Sequence, residues 1–288
     1  MQKKTVPQTQ EEIVHKQSMR DPAITCENVT YESGGVLLAI DVYRPDSNKY
    51  PGVRPGIMFF FGGGFHVGTR LAFREQAEAC AKQGYVALSA DYRISSLFDV
   101  TAADSIRDGA AAWTFVRQNA VRLGIDPYKI VLAGGSAGGT IASMCGPLTG
   151  IDPAGLILFN PGILDRDDPD SLLARLTGWE LDGVAVTNTR SVSAGMPPIL
   201  VMHGEEDELV PLSTIRSYVA HAKTQGVDVK LVTYPGAAHG FFNFNRSRAY
   251  FFLTMGEVLL FLEKLYTINQ SKKRGGVTAS PNKNQKLT

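Results

Sequence analysis

A mostly parallel, eight-stranded α/β sheet with helices on both faces is the architecture this sequence predicts. Three observations carry the prediction. Short apolar runs alternate with segments of helical spacing from Thr25 onward. Glycines stand where those helical segments end. A turn, Gly134-Gly135-Ser136-Ala137-Gly138-Gly139, separates one apolar run from the helical segment after it. Continuous apolar runs between helices are the mark of strands buried on both faces of a parallel sheet.

Taken in order, residues 1–20 are polar and read as an N-terminal arm or a first helix, with only a short apolar patch at Ile13-Val14. Ile24–Tyr31 and Val36–Tyr43 flank Ser33-Gly34-Gly35, which predicts an antiparallel pair. Ile57–Phe61, Val86–Ala90, Ile130–Ala133, Leu156–Phe159, Ile199–Met202 and Val229–Tyr234 supply the remaining strands. Helical spacing marks Thr69–Gln83, Ala102–Leu123, Thr140–Leu148, Leu212–Gln225 and Ser247–Leu265. Gly84, Gly124 and Gly226 stand where C-terminal glycine caps belong. The stretch Pro161–Met196, after the sixth strand, is longer than a connection requires and predicts a lid-like insertion over the sheet. Its acidic run Asp165–Asp170 lacks the glycine and terminal glutamate of a calcium loop and reads as a solvated turn. Residues 21–268 form the folded body. The tail 269–288, rich in Lys, Asn, Gly and Ser, is expected to be disordered.

The chain has 288 residues, enough for one large core. Its formal charge is +1, but the basic residues Lys272, Lys273, Arg274, Lys283 and Lys286 near the end leave the rest at −4, with no footprint for a nucleic-acid partner. Cys26, Cys80 and Cys145 are far apart and lack metal or redox spacing, which argues against a disulfide framework or structural zinc. No apolar run of signal-peptide or membrane-spanning length follows the N-terminal lysines or occurs elsewhere. These features predict a soluble, cytoplasmic chain without a membrane partner.

The glycine-rich turn has the pattern of a nucleophile elbow. A serine on a sharp strand-to-helix turn presents its hydroxyl outward, and small flanking residues let strand and helix approach closely. A phosphate-cradling loop would end in Gly-Lys-Ser/Thr, and a dinucleotide loop would place glycine where Ser136 stands, so neither fits. A serine hydroxyl needs a base to take its proton and an acid to orient that base. Strand Ile199–Met202 runs into His203-Gly204-Glu205-Glu206-Asp207-Glu208, and Asp207 is the expected acid, with the neighbouring glutamates as alternatives. After the last strand, Pro235-Gly236-Ala237-Ala238-His239 brings His239 to the same sheet edge, where functional groups gather in open α/β sheets. His203 reads as a loop brace. The glycines after strand Ile57–Phe61 supply unhindered N–H groups, so Gly63 and Gly64, with Ala137, are the expected oxyanion donors.

With these motifs the chain resembles α/β-hydrolase-fold esterases of the hormone-sensitive-lipase-like, carbohydrate acetyl and feruloyl esterase group. The resemblance runs from about Thr25 to Leu265. It is carried by the elbow and by Ala90-Asp91-Tyr92-Arg93, Asp108–Trp113, Leu123-Gly124-Ile125-Asp126-Pro127 and Leu158-Phe159-Asn160-Pro161. It implies a triad of Ser136, Asp207 and His239, oxyanion donors Gly63, Gly64 and Ala137, and hydrolysis of short or carbohydrate-linked esters with no cofactor or metal. One position departs from the group: the histidine that usually opens the oxyanion loop is Phe61. That histidine braces the loop through its side chain, so the change bears on loop order more than on the donors.

Phe65, Trp179, Phe241, Phe242 and Phe244 are expected to line an apolar substrate slot. A peptidase or amidase on the same triad, and a non-catalytic ligand-binding member of the fold, are the competing readings. The apolar helix Ser247–Leu265 reads as core packing, with a homodimer face as the alternative.

Overall fold

The computed structural model describes residues 4–5, 24–163, 180–181, 184–185 and 192–275, with side chains over 24–163 and 192–266. Its strands are β1 (Lys4–Thr5), β2 (Thr25–Ser33), β3 (Val36–Arg44), β4 (Arg54–Phe60), β5 (Val86–Ala90), β6 (Ile125–Gly135), β7 (Gly155–Phe159), β8 (Glu180–Leu181), β9 (Val184–Ala185), β10 (Ile199–Gly204) and β11 (Val229–Tyr234). The helices are α1 (Arg74–Lys82), entered through a single tight turn at Arg70–Phe73, α2 (Ala102–Asn119), α3 (Ala137–Thr149), α4 (Leu212–Thr224) and α5 (Arg248–Gly275).

The main sheet runs β1-β3-β5-β4-β6-β7-β10-β11, with β2 antiparallel to β3. β3 is antiparallel to β5, and from β5 to β11 every neighbouring pair is parallel. β5, β7 and β10 are buried at every position, as expected of strands covered on both faces. Helix α2 packs on α3, and α1 on α5. Gly84 and Gly226 adopt φ of +87° and +79° just past the ends of α1 and α4, the left-handed caps the sequence predicts, whereas α2 ends at Asn119, short of the predicted Leu123, and Gly124 at φ +74° closes the turn that follows it.

The differences from the sequence reading have local causes. Lys4 and Thr5 of the predicted arm pair in parallel with Val36 and Leu37 as an additional strand, held by backbone groups that need no apolar side chain. β6 begins at Ile125 instead of Ile130, because Ile125 pairs with Arg54 across a register shift in β4. α3 begins at Ala137 instead of Thr140, and Gly138 and Gly139 hide its first turn from helix propensity. α5 continues past Leu265 into the stretch from Asn269 that composition marks as disordered, since no glycine or proline interrupts it between Gly256 and Gly275. Within the predicted insertion 161–196, Pro161–Ile163, the β8/β9 hairpin and Val192–Met196 are described. The acidic run 165–170 and Trp179 lie outside the described residues, as do 276–288. Among the described residues no helix is long and apolar enough to cross a membrane.

Candidate active site

Five strands end at one edge of the sheet, and each delivers one part of the site. β6 ends at Gly135, and Ser136 follows with φ +52° and ψ −121°, a strained conformation for a residue with a Cβ. The strain is held by hydrogen bonds on both sides. The Ser136 N–H donates to the Phe159 carbonyl at 3.0 Å, and the Ser136 carbonyl accepts from the Gly162 N–H at 2.9 Å. A Cβ on Gly134 would lie 2.1 Å from the Gly138 carbonyl oxygen, so the close crossing of strand and helix requires glycine there.

Past β10, the Asp207 carboxylate accepts from the N–H groups of Leu209 and Val210 at 3.0 and 2.9 Å. Past β11, His239 donates from Nδ1 to Asp207 Oδ2 at 2.7 Å, and its Nε2 lies 3.0 Å from Ser136 Oγ. The Nδ1 bond fixes the tautomer and leaves Nε2 as acceptor for the serine proton. Burial alone would raise the Asp207 carboxyl, but the hydrogen bonds from His239 and Val210 outweigh it and hold the group below the usual carboxylate range. The loops carrying Asp207 and His239 are bound to each other: the N–H groups of Glu205 and Glu206 donate to the Tyr234 and Ala237 carbonyls, both at 3.0 Å. His203 is fully buried beneath them, with Nε2 2.9 Å from the Val210 carbonyl and 3.6 Å from Asp207 Oδ2. Burial pushes its imidazole below the ordinary value, against the pull of that carbonyl and of Asp207.

β4 delivers the glycine loop. Gly63 and Gly64 have φ of +128° and +63°, and a Cβ on Gly63 would meet the Val67 carbonyl oxygen at 1.9 Å. A Cβ on Gly62 would stand 3.2 Å from Ser136 Cβ, which places the loop beside the serine. Ala137 opens α3, so its N–H has no intrahelical acceptor. Phe61, in the position of the usual histidine, is buried and stacked on Tyr92 with ring centroids 4.0 Å apart. The Tyr92 hydroxyl donates to the Phe61 carbonyl at 2.8 Å. An aromatic stack and a backbone hydrogen bond therefore brace this loop.

The edge opens into a cavity of about 400 Å³ lined by Gly62–Gly64, Ser136, Asn160, His239 and Phe242, among others. Of the expected aromatic wall, Phe242 is present, and Phe73, stacked on it at 5.6 Å, joins it. Phe65 and Phe241 do not line the cavity. Phe241 and Phe242 are consecutive on a tight turn with ring planes 88° apart, and Phe241 packs instead against Tyr234 and Tyr250. Phe65, at φ +61°, is buried beside Tyr92. Phe244 packs on Phe251 and Phe252. Phe73, Asn160, Asn243 and Arg246 line the cavity without having been assigned a place in it from sequence. Only Asn160 carried a signal, as part of Leu158–Pro161.

Comparison with known proteins places the fold in a family. Residues 40–154 match the BD-FAE family model, and residues 184–256 match that of the dienelactone hydrolase family. Esterase 2 of Thermogutta terrifontis is 36% identical, with a TM-score of 0.75 over 86% of this chain and 97% of that one. The chain belongs to the α/β-hydrolase-fold esterases. Among curated members of this hydrolase group, carboxylesterase NlhH of Mycobacterium tuberculosis is 28% identical over 77% of each chain. Lipase 2 of Moraxella sp. is 27% identical over 65% of this chain, which spans about half (54%) of that protein's length. This α/β-hydrolase thus has its relatives' sheet, with the serine, histidine and aspartate side chains joined at its carboxyl edge.

Proposed function

We propose that this chain is a serine carboxylic-ester hydrolase acting on short-chain or carbohydrate-linked acyl esters through an acyl-enzyme on Ser136. The observation that carries the reading is the continuous relay from Ser136 Oγ through His239 to Asp207, at 3.0 and 2.7 Å. Ser136 Oγ attacks the ester carbonyl carbon as its proton passes to His239 Nε2. The carbonyl oxygen, now an oxyanion, takes the N–H groups of Gly63, Gly64 and Ala137, and each such donor is worth about 3 kcal/mol of transition-state stabilisation. His239 returns the proton to the departing alkoxide, and the alcohol leaves. Water then gives a proton to Nε2 and attacks the acyl carbon, and Ser136 leaves reprotonated. Asp207, held below the usual carboxylate range and therefore ionised and acceptor-only at neutral pH, orients the ring and stabilises the imidazolium at each stage.

The cavity is small, and its Phe73 and Phe242 wall suits an acetyl to butyryl chain or one aromatic acyl ring. The Thermogutta esterase has been solved with butyrate and with propionate bound, which supports the short acyl. The test is hydrolysis of nitrophenyl esters from acetyl to long acyl, with methyl ferulate and acetylated xylan alongside. Short esters are expected to turn over, and Ser136→Ala to lose about 10⁴-fold or more. Turnover confined to long acyl chains, or full activity in Ser136→Ala, would refute the reading.

A further inference from the structure

Asn160 has two properties that its place after β7 does not require. Its side chain is fully buried, and its backbone lies at φ +33° without being glycine. Asn tolerates the left-handed region better than other residues with a Cβ, but glycine would adopt it without strain. The backbone alone thus does not call for a carboxamide.

The carboxamide bridges two parts of the site. Oδ1 accepts from the Gly240 N–H at 3.1 Å, next to His239 in the chain. That bond settles which end of the amide is which, since only the oxygen accepts from an N–H. Nδ2 then faces His239 Nε2 at 3.4 Å, beside the shorter bond to Ser136 Oγ at 3.0 Å. The backbone around it is pinned as well, because the Asn160 N–H donates to the Met202 carbonyl at 2.7 Å and the neighbouring Phe159 carbonyl takes the Ser136 N–H.

We propose that Asn160 is a positioning residue for the base: its carboxamide holds the His239 loop through Gly240 and keeps a donor on Nε2 when Ser136 Oγ is acylated. The proposal rests on the serine-hydrolase reading above. In the free enzyme Nε2 accepts from the serine hydroxyl. Once Oγ carries the acyl group it has no proton to donate, and the Asn160 amide remains to keep the ring aimed at the acyl carbon while water arrives. The same donor opposes an N–H on Nε2, so it favours passing the proton on. Among the described residues, the other charged and titratable groups around His239 are Asp207 at Nδ1, His203 beneath Asp207 and Arg246 in the cavity wall.

Two variants test this with nitrophenyl butyrate, read by burst kinetics and by the pH dependence of kcat/KM. Asn160→Gly accepts the backbone geometry. Its deacylation should slow about tenfold, so that kcat falls with KM and acylated enzyme accumulates. Asn160→Asp keeps the acceptor for Gly240 but presents a carboxylate to Nε2, which favours the imidazolium and should move the acid limb of kcat/KM up by about one unit or more. The Asp variant answers alone if the Gly variant does not fold. An unmoved acid limb in Asn160→Asp, with kcat and kcat/KM unchanged or reduced equally in Asn160→Gly, would assign a purely structural role and overturn the proposal. A wild type that a fluorophosphonate does not label would instead overturn the serine-hydrolase reading beneath it.

Discussion

At Phe61 an aromatic ring occupies the position where related esterases use a histidine to brace the oxyanion loop. The ring stacks on Tyr92 with centroids 4.0 Å apart, and a Cβ on Gly68 would strike it at 2.4 Å, so the pocket around it is filled to contact. Truncating a buried phenylalanine typically costs about 3 to 5 kcal/mol. Phe61→Ala is therefore expected to lower the thermal midpoint and to reduce ester hydrolysis, because the cavity it leaves loosens the strand end that carries Gly63 and Gly64. Phe61→His keeps a planar ring over Tyr92 and should stay folded with a modest change in rate. Thermal melts and nitrophenyl acetate rates on the two variants check both statements. Loss of folded protein in Phe61→His, with Phe61→Ala unaffected, would contradict the bracing role.

The elements meet through close backbone approaches at the carboxyl edge. A Cβ on Gly138 would stand 2.1 Å from the Phe60 carbonyl oxygen and 2.3 Å from that of Phe61, so α3 rests directly on the end of β4. Gly138→Ala is expected to cost about 1 to 3 kcal/mol by overpacking. It should also reduce kcat, since the helix that follows Ser136 and the loop that carries the proposed oxyanion donors Gly63 and Gly64 separate. Denaturant unfolding and steady-state kinetics read the two effects, and a variant with wild-type values in both would contradict the close packing. Seven of the eight long strands were legible because each contains an apolar run flanked by turn residues, and the polar β2 was legible because Ser33-Gly34-Gly35 joins it to β3. That Ser136, Asp207 and His239 come together was legible because each stands just past a strand end, in a motif whose chemistry restricts the residue type. Less could be read where backbone pairing or distant contact decides. Lys4-Thr5 pairs through peptide groups, which every residue carries. Asp126–Lys129 joins β6 with no apolar signal. Asn160 meets His239 across 79 positions of sequence, a contact that exists only once β7 and β11 are in register in the sheet.

Over the whole molecule, the site makes folding sensitive to acid. His203 is buried with its imidazole held below the ordinary value of 6.5, so below about pH 6.5 the unfolded chain takes up a proton that the folded chain refuses. Asp207, held below 3.8, adds a loss of the same sign at lower pH, as the pH falls through its folded value. Asp91 acts oppositely: burial raises it in spite of Arg70, so the folded chain binds its proton first. The window just below pH 6.5 thus belongs to His203, with a slope of at most about 1.4 kcal/mol per pH unit. Urea midpoints taken from pH 7 to 5 should fall, and His203→Gln should flatten the fall. A variant slope equal to that of wild type would contradict this assignment.

The central claim, that Ser136 is a nucleophile activated by His239, is tested most directly by treating the protein with a fluorophosphonate and mapping the adduct by peptide mass spectrometry. The account predicts one stoichiometric adduct on Ser136, lost in Ser136→Ala and greatly slowed in His239→Ala. A folded wild type that takes up no label, or takes it up at another residue, would contradict it.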